Sequence, residues 1–245
     1  MIRAFPDLEA LSRAAADYIA LVGRSAVADR GAFSLVLAGG NTPRRAYEIL
    51  AAISRDDRAL WDAAHVYWGD ERCVPPDSPA SNYRMAKIAL LDPLGLRPGQ
   101  VHRIPAEEPD RQAAADRYAA AFPAQPDLIV LGVGDDGHTA SLFPGHGVLD
   151  ETAVGFALSE APVAPRERIT ITAPAIAAAL DVLVLASGTG KVEALKRVFN
   201  KTGSIHQTPA RLVRDRVWFV DCDAAQGMVE FRADDPQRIA AHGVP

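Results

Sequence analysis

A chain of 245 residues, 49% apolar and 23% charged, has the make-up of an ordinary globular protein and is long enough to bury a sizeable α/β core. Its net charge of −5, with no basic stripe, leaves no electrostatic footprint for nucleic acid. Cys73 and Cys222 fit neither a disulfide framework nor a zinc site. The N-terminal Met-Ile-Arg-Ala-Phe-Pro-Asp lacks the apolar core of a signal peptide, and no run approaches membrane-spanning length, so a cytoplasmic chain with reduced thiols is expected.

Residues 7–27 read as an amphipathic helix capped by Asp7, with Leu8, Leu11, Ala15, Ile19 and Val22 at helical spacing. Phe33 to Ala38 is a compact strand that runs into Gly39-Gly40-Asn41-Thr42-Pro43. Thr42 is a suitable N-cap and Pro43 suits the first helical position, so a helix to about Ile53 is predicted. The turn at Gly40, Asn41 and Thr42 would then aim free amides beyond the strand end, where a phosphate fits.

His65 to Gly69 reads as the next strand, followed by Asp70-Glu71-Arg72 as a charged loop. Ser81 and Asn82 start a helix through Leu91, and a short strand is expected at 101–104. An alanine-rich helix over 109–122 leads into Leu128–Leu131, whose branched, uninterrupted character suits a strand buried on both faces. Strands are predicted at 152–158 and 168–172, a helix at 174–180, and a buried strand at 181–186. A turn at 187–191, a helix through Phe199 and a strand at 217–220 follow, and the tail from Asp234 is polar with no readable fold. Alternating strands and helices without a low-complexity linker predict a single α/β domain over 1–245, its mostly parallel sheet covered by helices on both faces.

The chemistry concentrates after Leu131, in Gly132-Val133-Gly134-Asp135-Asp136-Gly137-His138. The glycines match G-x-G-x-x-G, yet Asp135 and Asp136 would repel a pyrophosphate, and Pro144, Gly145 and Gly147 break any long helix that should follow. Ser187-Gly188-Thr189-Gly190-Lys191 resembles a P-loop but lacks its first glycine and its Ser/Thr, where Leu185 and Val192 stand. There is no G-x-S-x-G elbow around Ser141, Cys73 reads as a structural thiol, and no metal-ligand spacing appears near His138 or His146, so neither metal nor cofactor is expected. His65, opening a strand, reads as structural.

Right-handed crossovers would bring these strand ends to one edge. One half of a pocket there would bind an anion, through the Gly40–Thr42 turn, Lys191 and Arg168. The other half would do acid/base work: His138 as a base near neutral pH, Asp136 and Asp70 as orienting carboxylates, and Arg72 to neutralise an oxyanion. That set suits hydrolysis or isomerisation at a carbonyl carbon of a phosphorylated small molecule.

Five blocks in order carry a resemblance: Gly39–Pro43, Trp68–Arg72, Gly132–Pro144, Arg168–Thr172 and Ser187–Lys191. Together they resemble the 6-phosphogluconolactonases of the glucosamine-6-phosphate isomerase/6-phosphogluconolactonase family, across nearly the whole chain. Asn41 stands where that family's G-G-S-T-P carries serine. The resemblance implies metal-free hydrolysis of 6-phospho-glucono-1,5-lactone in the oxidative pentose phosphate pathway. It also implies His138 as the base that activates water, Arg72 at the carbonyl oxygen, and Thr42, Arg168 and Lys191 on the 6-phosphate. The implied partner is this small phosphorylated sugar lactone, with neither nucleic acid nor membrane, and a monomer is expected. Two rivals share the scaffold. The glucosamine-6-phosphate deaminases carry a glutamate where this chain has Phe143 and D-E-Y in place of Asp70-Glu71-Arg72; a non-catalytic sugar-phosphate sensor would carry a DNA-binding module.

Overall fold

The computed structural model describes residues 1–227. The polar tail predicted from Asp234 lies outside the described residues. Six parallel strands, β1 (Ile2–Phe5), β2 (Phe33–Leu37), β3 (Ala64–Trp68), β5 (Leu128–Gly132), β8 (Asp181–Ala186) and β9 (Val217–Asp221), form a sheet in the order β1-β9-β8-β5-β2-β3. A second, antiparallel sheet sets β4 (Asp70–Arg72) beside β7 (Glu167–Ile171) and β7 beside β6 (Phe156–Glu160). The helices are α1 (Leu8–Arg30), α2 (Asn41–Ser54), α3 (Arg58–Asp62), α4 (Asn82–Ala86), α5 (Asp92–Leu94), α6 (Arg111–Ala121), α7 (Ala173–Ala177) and α8 (Val192–Phe199).

The central strands are continuous apolar runs because helices cover the sheet. Leu128 to Leu131 and Val182 to Ala186 are buried throughout. Each fully buried Leu, Ile or Val stabilises the fold by roughly 1.5–3 kcal/mol relative to exposure. α1 starts where expected: the Asp7 carboxylate accepts from the Ala10 amide at 2.8 Å, and Leu11, Ala15 and Ile19 face the core.

Several expectations are corrected. α2 begins at Asn41, and its N-cap is Gly40 rather than Thr42. Gly40 sits at φ 102°, a conformation that glycine enters without strain, so the chain turns into the helix before Thr42 is reached. Asp70–Arg72 is not a loop, because β7 offers a strand edge that it pairs with, Arg72 opposite Arg168. The expected strand at 101–104 reduces to one bridge, Val101 to Val66, between Pro98 and Pro105, which cannot donate to a ladder. β1 escaped the sequence reading, since four half-buried residues on a sheet edge carry little pattern. Among the described residues no helix is long and apolar enough to cross a membrane.

Candidate active site

β2 lies between β3 and β5, and the chain leaves it towards β3 before returning to β5 and running outward through β8 and β9. The loops after β2 and β5 therefore diverge at their carboxyl ends, and open α/β sheets take their ligands at such a switch point. A cavity of about 220 Å³ opens there, walled by Gly40, Asp70, Arg72, Asn82, His138 and Lys191 together with the Gly132–Gly134 backbone. A groove of about 430 Å³ adjoins it, sharing Gly40, Arg72 and Asn82 and bounded further out by Asn41, Arg44 and Arg84.

The histidine is held from behind. Asp136 Oδ1 accepts from the His138 backbone amide at 3.0 Å and lies 2.6 Å from His138 Nδ1. With a carboxylate as its partner Nδ1 carries the proton, which leaves the Nε2 lone pair as the ring's acceptor. Burial opposes the Asp136 charge, but the hydrogen bonds from the His138 ring and amide outweigh it and hold the carboxyl below its usual range. Gly134 makes this packing possible: a Cβ there would lie 2.1 Å from His138 Nδ1 and 2.7 Å from Asp136 Oδ1. Phe143 closes the other side, its ring 4.7 Å from the imidazole.

Asp70 stands on the cavity wall, but its hydrogen bonds are to residues other than His138. Its Oδ2 accepts from Ser141 Oγ at 2.6 Å and its Oδ1 from Asn82 Nδ2 at 3.2 Å, which ties β4 to the loop after β5 and to the start of α4. Ala140, at φ 48°, takes a left-handed turn that a non-glycine residue seldom adopts, immediately before Ser141. Glu71 is buried and accepts from the amides of Arg72, Asn82 and Tyr83 and from Ser81 Oγ. Burial nonetheless pushes its carboxyl up. It anchors the backbone on which Arg72 rides.

Arg72 donates through Nη1 to the Ala80 carbonyl and lines both cavities. Arg168 lies opposite it in the strand register, 7% exposed, with its buried Nε and Nη1 lacking a partner. Burial and then the Arg72 charge lower the Arg168 pKa, and Asp70 and Glu71 only partly offset them. Two guanidiniums side by side, one with unmet donors, form a local cationic centre in a chain of negative net charge.

The anion-binding elements divide. Gly40 and Lys191 reach the cavity and Asn41 the groove; Thr42, in the same first turn, and Arg168, beside Arg72 in the strand register, belong to neither wall. No side chain caps α2, so its first amides remain unpaired by a cap. Lys191 Nζ sits 2.5 Å from Asp135 Oδ1. Sequence reasoning missed three contributors: Asn82, read only as a helix start, Ser141, weighed only as a nucleophile, and Asp135. Spacing carries no signal for these contacts, because they join β4 to α4 and to the His138 loop, and that loop to the Lys191 turn, across the fold. Among the described residues no three His, Cys, Asp or Glu side chains gather as a metal site requires.

A profile described as glucosamine-6-phosphate isomerases/6-phosphogluconolactonase matches residues 6–220. The chain belongs to that family. Within it, the 6-phosphogluconolactonase of a Synechocystis species is 38% identical over 83% of this chain and 88% of its own length. The 6-phosphogluconolactonase of Mycobacterium tuberculosis is 35% identical over 91% of this chain and 96% of its own. Among solved structures, 6-phosphogluconolactonase from Trypanosoma brucei superposes with a TM-score of 0.79 at 28% identity, covering 94% of this chain and 98% of that one. A monomeric glucosamine-6-phosphate deaminase superposes with a TM-score of 0.80 at 20% identity, covering 91% of this chain and 98% of that one, and so shares the fold.

Proposed function

We propose that this family member hydrolyses 6-phospho-D-glucono-1,5-lactone to 6-phospho-D-gluconate in the oxidative pentose phosphate pathway, with His138 as general base. The observation that carries the reading is the Asp136–His138 contact of 2.6 Å, which reserves Nδ1 for the carboxylate and leaves Nε2 for a wall shared with Arg72, Gly40 and Lys191.

In this reading Nε2 takes a proton from water as the water oxygen bonds to the lactone carbon. Asp136 stabilises the imidazolium that results. The carbonyl oxygen becomes an alkoxide beside Arg72, a fixed cation that needs no reorganisation when charge develops. Collapse breaks the bond to the ring oxygen, His138 returns the proton to that oxygen, and the product is a free acid. The phosphate is held by Lys191 and by the Gly40–Asn41–Thr42 amides at the start of α2, with the buried guanidinium of Arg168 adding positive charge from beside Arg72. Asp70 positions Ser141 and Asn82 and takes no proton. No metal or cofactor enters the scheme, and a cytoplasmic location and a monomeric state belong to the same proposal.

The deaminase reading is disfavoured by Phe143, an apolar side chain packed against the imidazole where ring opening and ammonia loss would need a carboxylate. The test offers the protein fresh 6-phosphogluconolactone and glucosamine 6-phosphate in parallel, following acid in the first and ammonia in the second. Acid release above the spontaneous rate, without ammonia, is expected. Ammonia release would favour the deaminase, and binding without turnover a sensor.

A further inference from the structure

Lys191 is the cation on the cavity wall closest in sequence to the start of α8, and it is already occupied. Its side chain, 24% exposed, is paired at 2.5 Å with the carboxylate of Asp135, a side chain that is 72% exposed and is not part of the wall. The Asp135 carboxylate also rests against the Lys191 turn, where a Cβ on Gly190 would lie 3.3 Å from its Oδ2. Its backbone is fixed independently, because Arg197 Nη2 donates to the Asp135 carbonyl at 2.9 Å. The carboxylate can therefore rotate into solvent while the backbone carrying Asp136 and His138 stays in place.

We propose that Asp135 is an internal counter-ion that competes with the ligand's phosphate for Lys191, and so sets how firmly phosphorylated ligands, the product included, are held. This rests on the phosphate-binding role proposed for Lys191. The pair Asp135-Asp136 then divides the work of one loop, the second carboxylate holding the base and the first guarding the anion site. A phosphate that must first displace this exposed ion pair binds more weakly by roughly two- to six-fold, about 0.4–1 kcal/mol. The guard weakens the grip without destroying the site.

Calorimetry on the full chain tests this, with inorganic phosphate, 6-phosphogluconate and gluconate as probes for the wild type, Asp135→Asn, Lys191→Met and the double variant. Asp135→Asn is expected to bind phosphate and 6-phosphogluconate roughly two- to six-fold more tightly, with gluconate unaffected and the gain shrinking at high salt. In the Lys191→Met background the gain should vanish. A merely structural role for Asp135 would weaken binding or leave it unchanged, and either result overturns the proposal, as does a gain that persists without Lys191. Should the wild type bind neither phosphate nor 6-phosphogluconate, the phosphate role of Lys191 falls together with the inference. Should the wild type bind and hydrolyse while Asp135→Asn gains nothing, the inference alone falls.

Discussion

The residue that most narrowly constrains the site is one without a side chain. Gly134 lets the imidazole of His138 and the carboxylate of Asp136 close over its Cα, and a single added methyl would sit 2.1 Å from Nδ1. Gly134→Ala is therefore expected to displace the ring and lower kcat by roughly 10-fold or more, a large part of what a positioned base contributes. Circular dichroism should show the fold retained. Unchanged turnover would mean that the Asp136–His138 geometry is not what matters. Arg168 gives the complementary case. Two buried N–H groups without partners destabilise the ligand-free protein by about 1–3 kcal/mol each. Arg168→Met should accordingly raise the thermal midpoint while weakening the affinity for 6-phosphogluconate. A lower midpoint would show that those donors are satisfied in solution.

At the scale of elements, the strands that end in the site were legible, and the sheet edges were not. β5 and β8 announce themselves as branched apolar runs, and β8 lies where its run of six residues predicted. β4 was unreadable because three charged residues look like a solvated loop until β7 supplies an edge for them. The same blindness hid the coupling of Asp70 to Ser141 and Asn82, which lie far apart in sequence. The β3 edge carries a device that sequence left as a lone structural His65: its Nδ1 lies 2.9 Å from His102 Nε2, and Tyr67 stacks on the His102 ring at 4.5 Å. Tyr118, from α6, donates to the His102 carbonyl. Burial and then the neighbouring His65 lower the His102 pKa. The folded chain thus resists a proton that the unfolded chain accepts near pH 6.5. The stability that this neutral histidine permits is whole above that value, declines as pH falls below it, and stops declining beneath the lowered folded value. Denaturant titrations of wild type against His102→Gln between pH 7.5 and 5 should show the wild type losing more stability on acidification. Parallel losses would remove His102 from the acid response.

At the scale of the molecule, topology brings distant loops to one place. The loops after β2, β5 and β8 supply Gly40, His138 and Lys191, and β4 from the second sheet supplies Arg72; all four line one cavity at the switch point. The sequence showed each cluster at a strand end, and handed crossovers implied a common rim. Orientation within that rim, such as Thr42 lying off the wall and Lys191 engaged by Asp135, required the packed side chains. The most direct measurement is the single-turnover rate of 6-phosphoglucono-1,5-lactone hydrolysis at neutral pH by wild type and His138→Ala, corrected for the spontaneous reaction. With His138 as the general base, a loss of roughly 10²–10⁴ is expected in the variant, with its affinity for 6-phosphogluconate nearly intact. Hydrolysis by His138→Ala at the wild-type rate would contradict that role.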